Sequence, residues 1–425
     1  MKNRLKKLSS QFKNILKTSS AIANSSEFNI YLVGGVVRDL ILKRKVFDLD
    51  IVVEGNAIVF AKKLAKRLKS EFSCHHSFGT ATLNLDGHKI DFATARIEEY
   101  SHRGALPKVL PASLAKDLLR RDFTINTMAI SLNKTDYGKL IDLCNGLVDL
   151  KKGLIRVLHP KSFQDDPTRI LRAIRFEQRF SFKIEPGTFK FIKEALGEQS
   201  LELVGPHRLR DEITLILKEP KPFGYIKRIK ELVGFSFIDK TIKLDRMSFL
   251  LFARIEESVL YYERRFKKHR KLEVWLLYLA AILIKLSPLR LKKFFHDFGF
   301  RKGERAVVSS IREGLNKIKK LEKHTKASNI YRILEPYSFE SILFFYAYYQ
   351  KRSLRKNIEH FLDKLVDIRL KIKGKDLKKM DLKPHILYSK ILKKALYSKI
   401  DKGLKGKRQE AEEVKRIFKR HNKNV

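Results

Sequence analysis

Two neighbouring segments constrain this chain more than any other part of its sequence. Residues 32–39 read Leu-Val-Gly-Gly-Val-Val-Arg-Asp, an apolar strand pattern that runs into two glycines and then into a helical pattern. Adjacent glycines let backbone N–H groups approach a polyphosphate closely, and the N-terminus of a helix favours negative charge. The segment therefore predicts a phosphate-binding turn at Gly34 and Gly35.

The second segment places two carboxylates on one face of a strand. Asp48 and Asp50 flank Leu49, and side chains at i and i+2 of a strand point the same way. Two hard oxygen ligands about 7 Å apart, beside a phosphate-binding turn, suit a pair of Mg²⁺ ions in phosphoryl transfer. The alternative is a Gly-Gly turn followed by a strand with two solvated acids. The order and spacing of the two segments favour the functional interpretation.

The charge of the chain indicates a polyanionic partner. Its 425 residues include 91 Lys and Arg against 47 Asp and Glu, which gives a formal net charge of +44 and a pI near 10.1. Lys and Arg release counterions from a phosphate backbone, so this excess favours nucleic acid. An anionic membrane surface is the alternative. However, no run of 18 apolar residues occurs, and the lysine-rich N-terminus lacks the apolar region of a signal peptide. We therefore expect nucleic-acid binding and no membrane association.

The number of cysteines and the length of the chain further restrict the class of protein. The two cysteines, Cys74 and Cys144, are too few for a disulfide framework and do not indicate a cysteine zinc site. A cytoplasmic location fits this usage. The length suggests roughly two to four domains.

Strand and helix signals divide the chain into a mixed N-terminal part and a helical remainder. The pattern is mixed α and β to about residue 158, and helix periodicity dominates beyond Pro160. The expected elements of the mixed part are strands at 29–34 and 48–54, a helix at 57–70, and a hairpin of 80–85 with 88–94. Asp86-Gly87 is a strong two-residue turn signal between the hairpin strands. Residues 100–113 contain two prolines and a glycine and predict a mobile loop.

Asp91 is a candidate third carboxylate. It lies in the second hairpin strand and could join Asp48 and Asp50 across the sheet, as a metal neighbour or as general base for an attacking hydroxyl. The alternative is a cross-strand partner of Arg96 or Lys89.

Residues 119–129 bring two guanidinium groups, a carboxylate and an amide together before an apolar stretch. Arg120 and Arg121 can pair with a triphosphate, and Asp122 and Asn126 are of a size to contact ribose hydroxyls. The alternative is an N-capped helix, with Asp122 or Thr124 as the cap. Both interpretations can hold together.

Residues 164–176 predict a helix with a functional face. Pro167 suits the first turn, and Arg169, Arg172 and Arg175 then recur at three-residue spacing on one face, with Asp166 close to it. Stacked arginines repel one another unless an anion or acceptor lies opposite. A carboxylate beside a guanidinium can read the edge of a nucleobase. The alternative is an exposed charged helix.

The C-terminal tail is strongly basic. Residues 371–425 contain 19 Lys and Arg against 6 Asp and Glu. A lysine-rich helix face in this tail is either a solvated surface or, in a chain of this total charge, a surface that binds an RNA backbone.

Taken together, these segments resemble the nucleotidyltransferase signature of the polymerase-β-like superfamily. Within it they resemble the class II CCA-adding enzymes, the tRNA nucleotidyltransferases related to bacterial poly(A) polymerases, and most of all the bacterial A-adding or CCA-adding members. The resemblance covers residues 29–217 and includes the Asp-x-Asp pair at 48–50, the Arg-Arg-Asp block at 120–122, the turn at 142–150, the Asp-Asp-x-x-Arg block at 165–169 and a later Arg-x-x-x-Glu helix at 208–217. One departure is Asp165, where the family usually has Glu, which puts its orienting role toward Arg169 in doubt.

The resemblance implies an α+β fold. An N-terminal nucleotidyltransferase head, the polymerase-β-like palm with a small mixed sheet, is followed by an all-α neck, body and tail. The corresponding ranges are 1–28 for a basic lead-in, 29–158 for the head, 159–222 for the neck with its nucleobase-recognition helix, 223–325 for the body and 326–425 for a basic, tRNA-binding tail.

The resemblance also implies roles for the candidate residues. Asp48 and Asp50 would hold catalytic Mg²⁺ ions, and Asp91 completes the candidate catalytic set. Asp166 and Arg169 would pair with the incoming base, so that protein rather than nucleic acid acts as the template. The other nucleotide-binding candidates are Gly34, Gly35, Arg38, Arg121, Asp122, Asn126, Arg172 and Arg175.

The expected reaction is transfer of a nucleotide to tRNA with release of pyrophosphate. The protein would contact the 3′ end, acceptor stem and elbow of tRNA and use ATP, and CTP as well if it adds all of CCA. Members of the family add CCA, CC or only the terminal A. A poly(A) polymerase is the closest alternative, but the tail here is lysine-rich rather than arginine-rich. A more remote alternative is an RNA-binding protein with an inactive head, against which the intact Asp48, Asp50, Arg121, Asp166 and Arg169 argue.

Overall fold

The computed structural model describes residues 1–26, 28–99, 108–266, 271–323, 326–380 and 387–422. The chain forms two compact units. The first comprises Met1–Ile216 with Gly224–Phe237, and the second comprises Leu217–Phe223 with Ile238–Val425. Every strand of the described residues lies in the first unit, and the second unit is helical. The finer division into lead-in, head, neck, body and tail stays a prediction.

The strands of the first unit fall almost entirely before residue 160, as expected from the loss of strand signal beyond Pro160. They are β1 (Asn29–Val33), β2 (Leu49–Glu54), β3 (Glu71–His75), β4 (Thr80–Leu85), β5 (His88–Thr94), β6 (Arg96–Glu99), β7 (Lys108–Pro111), β8 (Met128–Ser131), β9 (Leu140–Asp142), β10 (Leu154–Ile155) and β11 (Lys183–Ile184).

Seven of these strands form one mixed sheet in the order β3-β4-β5-β2-β1-β8-β9. β2 is parallel to β5 and antiparallel to β1, while β8 is antiparallel to β1 on its other side. The end of β1 and the starts of β2, β5 and β8 therefore meet at one edge, called here the site edge. The sheet confirms the expected mixed α+β head.

The hairpin formed by β4 and β5 has the predicted bounds. Asp86 and Gly87 form its two-residue turn, with φ of 47° and 78°, and Leu85 pairs with His88. Two positive φ values in succession match the right-handed twist of a hairpin, and Asp and Gly tolerate them better than most residues do.

Helices cover the sheet and complete the first unit. They are α1 (Lys2–Leu5), α2 (Ser10–Ser25), α3 (Gly35–Ile41), α4 (Ala57–Leu68), α5 (Leu114–Leu119), α6 (Gly146–Lys152), α7 (Ser162–Asp165), α8 (Thr168–Phe180), α9 (Pro186–Gly197), α10 (Pro206–Leu217) and α11 (Phe223–Leu232). Short 3₁₀ turns occur at His76–Phe78, Thr124–Asn126 and Ser200–Leu203.

Most residues of helix α8, which carries several predicted site residues, are buried. Ile170, Leu171 and Ile174 are fully buried, and Phe176 meets Phe123 edge to face. This apolar side fixes the helix in the unit and leaves its arginine face to the site.

The second unit consists of ten α-helices within the described residues, together with a 3₁₀ turn at Lys319–Glu322 and a π-helical turn at Phe361–Leu365. The helices are α12 (Arg246–Arg265), α13 (Trp275–Leu283), α14 (Pro288–Asp297), α15 (Lys302–Ile318), α16 (Ala327–Leu334), α17 (Phe339–Tyr348), α18 (Arg352–His360), α19 (Gly374–Lys379), α20 (Tyr388–Lys402) and α21 (Gly406–Asn422).

Two cores stabilise the helical unit. Helix α13 is buried along its whole length. A separate apolar cluster joins α19, α20 and α21 through Leu377, Ile391, Ala395 and Val414. The basic tail is thus folded around its own core in the described residues rather than extended.

Two local expectations are corrected by the structure. The helix expected at 57–70 ends at Leu68, because Lys69 adopts a left-handed cap with φ of 52°, and β3 follows at once. In the expected loop, residues 108–111 form β7, which pairs with β6. Residues 100–107 lie outside the described residues.

No helix in the described part of the chain combines the length and the hydropathy that a bilayer crossing requires.

Gly146 generates a first prediction, because it packs directly against the segment that carries Asn126. A Cβ at Gly146 would overlap the carbonyl oxygen of Thr124. We expect Gly146→Ala to destabilise the protein by about 1–3 kcal/mol through overpacking, measured by denaturant unfolding. Gly197→Ala is the matched control, because nothing lies within 4 Å of its Cβ position. Equal stability of the two variants would contradict this packing.

Candidate active site

A polar cleft of about 620 Å³ in the first unit brings most of the predicted residues together. Eight arginines line it against six carboxylates, an excess that suits a polyanionic ligand. The predicted residues that line it are Gly34, Gly35, Arg38, Asp50, Arg121, Asp122, Asn126, Asp166, Arg169, Arg172 and Arg175. Asp48 and Asp91 belong to the neighbouring sheet edge and not to the lining.

The glycine turn lies at the end of β1. Gly34 has a φ of 67°, a conformation that favours glycine, and a Cβ there would lie 2.9 Å from Nη1 of Arg121. Helix α3 begins at Gly35, and its buried Arg38 donates to Oδ1 of Asn126 at 2.6 Å and to Asp39 at 3.0 Å. The turn therefore lies against two guanidinium groups.

The carboxylates meet at the site edge. Asp50 is paired with Asp91 in the register of the parallel strands β2 and β5, and Asp48 immediately precedes β2. The sheet therefore places Asp91 beside the Asp-x-Asp pair, as the sequence predicted. Thr82 and Lys89 both donate to Asp91, each at 2.6 Å. Asp91 thus pairs with Lys89, one of the two alternative partners, but along the same strand β5 and not across the sheet.

The pKa of Asp50 is raised above its ordinary value. Solvent reaches its side chain from the cleft, but the surrounding protein removes much of its hydration, and this desolvation is the largest cause. The charges of Asp91 and Asp48 raise the pKa further, whereas Arg121 and Lys89 oppose them. Carboxylate oxygens are the ligands that divalent cations such as Mg²⁺ prefer, although the described residues include no group of three or more His, Cys, Asp or Glu side chains arranged to hold a metal ion.

Arg121 and Arg120 are held by one buried carboxylate. Asp117 accepts from Arg120 at 2.7 Å and from Arg121 at 2.8 Å. Burial acts to raise the pKa of Asp117, but the two guanidinium charges lower it below its ordinary value. Arg120 also donates to Glu98 at 2.6 Å. Asp117 and Glu98 were not among the predicted site residues.

Asp122 anchors a second network. Its Oδ2 accepts from Nη2 of Arg172 at 2.6 Å, and its Oδ1 accepts from Asn126 at 2.9 Å. Desolvation would raise its pKa, but Arg172 and the hydrogen bond from Asn126 lower it to about 2. Arg172 donates in addition to Glu212 at 3.0 Å. Before any ligand binds, Asp122 and Asn126 already orient arginines.

Asp166 provides a hydrogen-bond acceptor, and the neighbouring Arg169 provides a hydrogen-bond donor. Oδ1 of Asp166 accepts from Thr168 and from Arg208, the latter at 2.8 Å. Arg169 is buried and donates to Oγ of Ser162 at 2.7 Å and to the carbonyl of Arg120 at 2.8 Å. Both side chains are fixed in place by groups on other elements.

Asp165 does not contact the guanidinium of Arg169. Its carboxylate lies 3.5 Å from Nε2 of His159 instead. Ser162 and the Arg120 carbonyl orient Arg169 in its place.

The cleft also contains residues that the sequence did not mark as part of the site. Arg179 lies at the end of α8, and Arg208 and Glu212 come from α10. The last two stand at i and i+4 on one helix face and belong to the Arg-x-x-x-Glu helix of the family resemblance, which by itself assigns them no role in the site. Their link to Asp166 and Arg172 depends on tertiary structure.

Comparison with known proteins agrees with this geometry. Residues 30–156 match the family described as Poly A polymerase head domain. The A-adding tRNA nucleotidyltransferase of Aquifex aeolicus is 39% identical over 381 residues, which cover 87% of this chain and 45% of that protein. A solved CCA-adding enzyme, apo form II, superposes with a TM-score of 0.77 at 32% identity and covers 96% of both chains. The Thermotoga maritima CCA-adding enzyme complexed with tRNA_CCA gives a TM-score of 0.73 at 32% identity over 97% of both chains.

The chain belongs to the tRNA nucleotidyltransferase and poly(A) polymerase family. It spans about half the length of the Aquifex relative. Nucleotidyltransferases of this family use divalent metal ions, in agreement with the donor set at the site edge.

The raised pKa of Asp50 predicts a stability change that does not depend on turnover. A carboxylate whose folded pKa is raised stabilises the fold below the ordinary value of 3.8, and that contribution is lost as the pH rises through the folded pKa. At neutral pH we therefore expect Asp50→Asn to raise the Tm in EDTA, with a smaller gain at acid pH. The variant should also lose the rise in Tm that Mg²⁺ or Mn²⁺ gives the wild type.

Glu71→Gln is the matched control, because it removes one exposed carboxylate from the same sheet. A lower Tm for Asp50→Asn in EDTA, or an unchanged response to metal, would contradict the assignment of Asp50.

Proposed function

We propose that this protein is a tRNA nucleotidyltransferase that adds the terminal A of the 3′-CCA sequence from ATP. The observation that carries the proposal is the cleft, which joins a glycine turn, an arginine cluster and a fixed Asp–Arg pair beside the Asp-x-Asp strand. The A-adding name of the Aquifex relative supports the choice of A. Addition of the whole CCA from CTP and ATP is the second candidate, which the CCA-adding solved relatives favour.

The chemistry follows from the charges of the site. The 3′-oxygen of tRNA attacks the α-phosphorus of ATP and loses its proton, and the bond to the bridging oxygen breaks to release pyrophosphate. Mg²⁺, held by Asp48 and Asp50, would activate the hydroxyl and stabilise the charge of the leaving group. Arg121, beside the glycine turn, would bind the triphosphate.

Asp166 and Arg169 would choose the base. Oδ2 of Asp166 makes no hydrogen bond to the described residues and can accept from an exocyclic amino group, while Arg169 can donate to a ring nitrogen. Adenine and cytosine both carry an amino group where uracil and the six-membered ring of guanine carry an oxygen. The pair therefore suits ATP and CTP and opposes UTP and GTP.

The basic tail would bind the tRNA elbow. Three of its acids act inside the fold: Glu410 is fully buried against Lys399, and Glu413 and Asp376 pair with Lys402 and Lys407. Many lysines are left exposed with no ion pair in the described residues, including Lys390, Lys393 and Lys394. A surface with this excess of positive charge suits binding of a phosphate backbone. The proposed location is cytoplasmic, in keeping with two free cysteines.

The decisive experiment uses tRNAs that end before CCA, after C and after CC, each with CTP, ATP or both. Extension only of the CC-ending tRNA by ATP identifies an A-adding enzyme, and extension of all three with both nucleotides identifies a CCA-adding enzyme. Asp48→Ala should bind tRNA like the wild type and transfer nothing. Long tails on RNAs of any sequence would instead identify a poly(A) polymerase.

Loss of the base-reading pair should affect selectivity more than chemistry. We expect Arg169→Ala and Asp166→Ala to lower discrimination against UTP and GTP by about 1–3 kcal/mol per contact, measured as ratios of kcat/KM. Arg179→Ala is the matched control, because it removes one arginine from the same cleft. It should weaken binding of all nucleotides alike. Wild-type ratios in both test variants, with only the rate reduced, would refute the protein-template role.

Neutralising the tail should weaken tRNA binding in a salt-dependent way. Replacing Lys390, Lys393 and Lys394 with Ala should reduce the log–log salt slope by roughly 0.7–0.9 for each lost phosphate contact and leave an acceptor-stem fragment unaffected. The same change at Lys319, Lys320 and Lys323, also exposed in the second unit, serves as the charge-matched control. Equal slopes in the two triple variants would show that this tail surface is only solvated.

A further inference from the structure

An exposed aromatic side chain stands next to the catalytic strand. Phe47 immediately precedes Asp48, and 62% of its surface is open to solvent. Its carbonyl accepts a hydrogen bond from Nδ1 of His88 at 3.3 Å, so its backbone is tied to the start of β5. A large apolar ring left in water at such a position is a candidate stacking surface for a base.

One lysine lies over this ring, and two others line a cavity beside its loop. Lys45 lies over it, with Nζ 5.1 Å from the ring centroid. Lys43, at a left-handed φ of 57°, and Lys7 are exposed and form no side-chain ion pair with the described residues. Lys45 is therefore the lysine at the Phe47 ring, while Lys43 and Lys7 line the cavity beside the same loop.

The loop that carries these lysines is anchored at its centre. Arg44 stacks on Phe180, 4.7 Å from the ring centroid, and Nη2 of Arg44 donates to the carbonyl of Arg179 at 3.4 Å. On its other side, Arg4 donates to the carbonyls of Leu40 and Ile41 at 2.8 and 2.6 Å. The arginines hold the backbone, and the lysines are left for a ligand.

A cavity of about 780 Å³ opens beside the loop. Leu8, Phe12, Leu40 and Val46 contribute apolar walls, and the rim is cationic. An apolar floor with a cationic rim matches a nucleotide, whose base is flat and whose phosphate is charged.

The position of the ring indicates which nucleic acid it meets. Phe47 and His88 extend the parallel pair β2 and β5 at the site edge, while the triphosphate cleft, which Phe47 does not line, approaches the same edge through Gly34. The attacking hydroxyl must reach Asp48 and Asp50 from a side that the nucleotide leaves open. The Phe47 loop flanks that edge.

We infer that Phe47, with Lys43 and Lys45, seats the 3′-terminal nucleotides of the accepting RNA strand. The inference rests on the proposed tRNA nucleotidyltransferase function and adds the site of the second substrate. Phe47 stacks on a terminal base, the lysines bind the adjoining phosphates, and the 3′-hydroxyl is thereby presented to the Asp-x-Asp pair. Phe47 is a positioning residue, because it acts by holding RNA rather than by touching the triphosphate.

Kinetics on a CC-ending acceptor-stem fragment provide the first test. Phe47→Ala should raise the KM for the fragment roughly 5- to 150-fold, the range of one lost stacking contact, and leave the KM for ATP unchanged. Phe47→Tyr should restore the wild-type value. Phe78→Ala is the matched control, because Phe78 is another exposed phenylalanine of the same unit. Equal KM values for Phe47→Ala and Phe78→Ala would overturn the inference.

Salt dependence tests the lysines. Lys43→Ala with Lys45→Ala should reduce the log–log salt slope of fragment binding by roughly 1.4–1.8, whereas Lys62→Ala with Lys66→Ala, on the exposed face of α4, should not. An identical reduction in both pairs would contradict a local site.

Photocrosslinking identifies the nucleotide. With Phe47→p-benzoylphenylalanine, crosslinks should map to the last nucleotides of the RNA, and with the same change at Phe78 they should be absent. Crosslinks to the duplex stem alone would refute the inference. If the wild type extends no tRNA, the proposed function fails. If it extends tRNA but Phe47 variants behave as the wild type, only the inference fails.

Discussion

Repulsion among arginines is the constraint on which the rest of this structure depends. Eight of them line one cleft, and guanidinium groups this close are compatible with a folded chain only where carboxylates or ligand phosphates lie among them. Asp117 holds Arg120 and Arg121, and Asp122 shares Arg172 with Glu212. These pairs fix the geometry of the cleft but neutralise only part of the positive charge of its arginines. The phosphates of a triphosphate would neutralise the remainder.

Features that nearby residues determine were predictable from the sequence. The Asp86-Gly87 turn specified its hairpin to the residue, because two positive φ values in a row admit few residue types. The strand expected at 48–54 is present as β2, with Asp50 in the strand and Asp48 just before it, and the periodicity beyond Pro160 predicted helices that the structure contains. All ten predicted nucleotide-binding residues line one cleft, and each was found because it lies beside a local signal such as a glycine pair or a helix start.

Features that depend on partners distant in the chain were not predictable in this way. Arg172 meets carboxylates 50 residues before it and 40 residues after it, and Glu98 meets Arg120 across 22 residues. Each of these side chains, taken alone, resembles a solvated charge. Strand β7 was likewise expected to be loop. It is a strand because it pairs with β6, and its own composition does not indicate that pairing.

Position 165 is Asp where the resemblance implies Glu, and it bears on the proposed base-reading pair of Asp166 and Arg169. A shorter Asp165 cannot orient Arg169, but a hydroxyl and a backbone carbonyl do so instead. Both acceptors are neutral, so Arg169 keeps its charge for a ligand. Asp166, in contrast, has a charged partner. Arg208 pairs with one of its oxygens, and the other oxygen is left to accept a hydrogen bond. The pair therefore offers a charged donor beside a partly compensated acceptor. If the proposed role holds, selectivity among bases would depend on hydrogen-bond direction rather than on net charge.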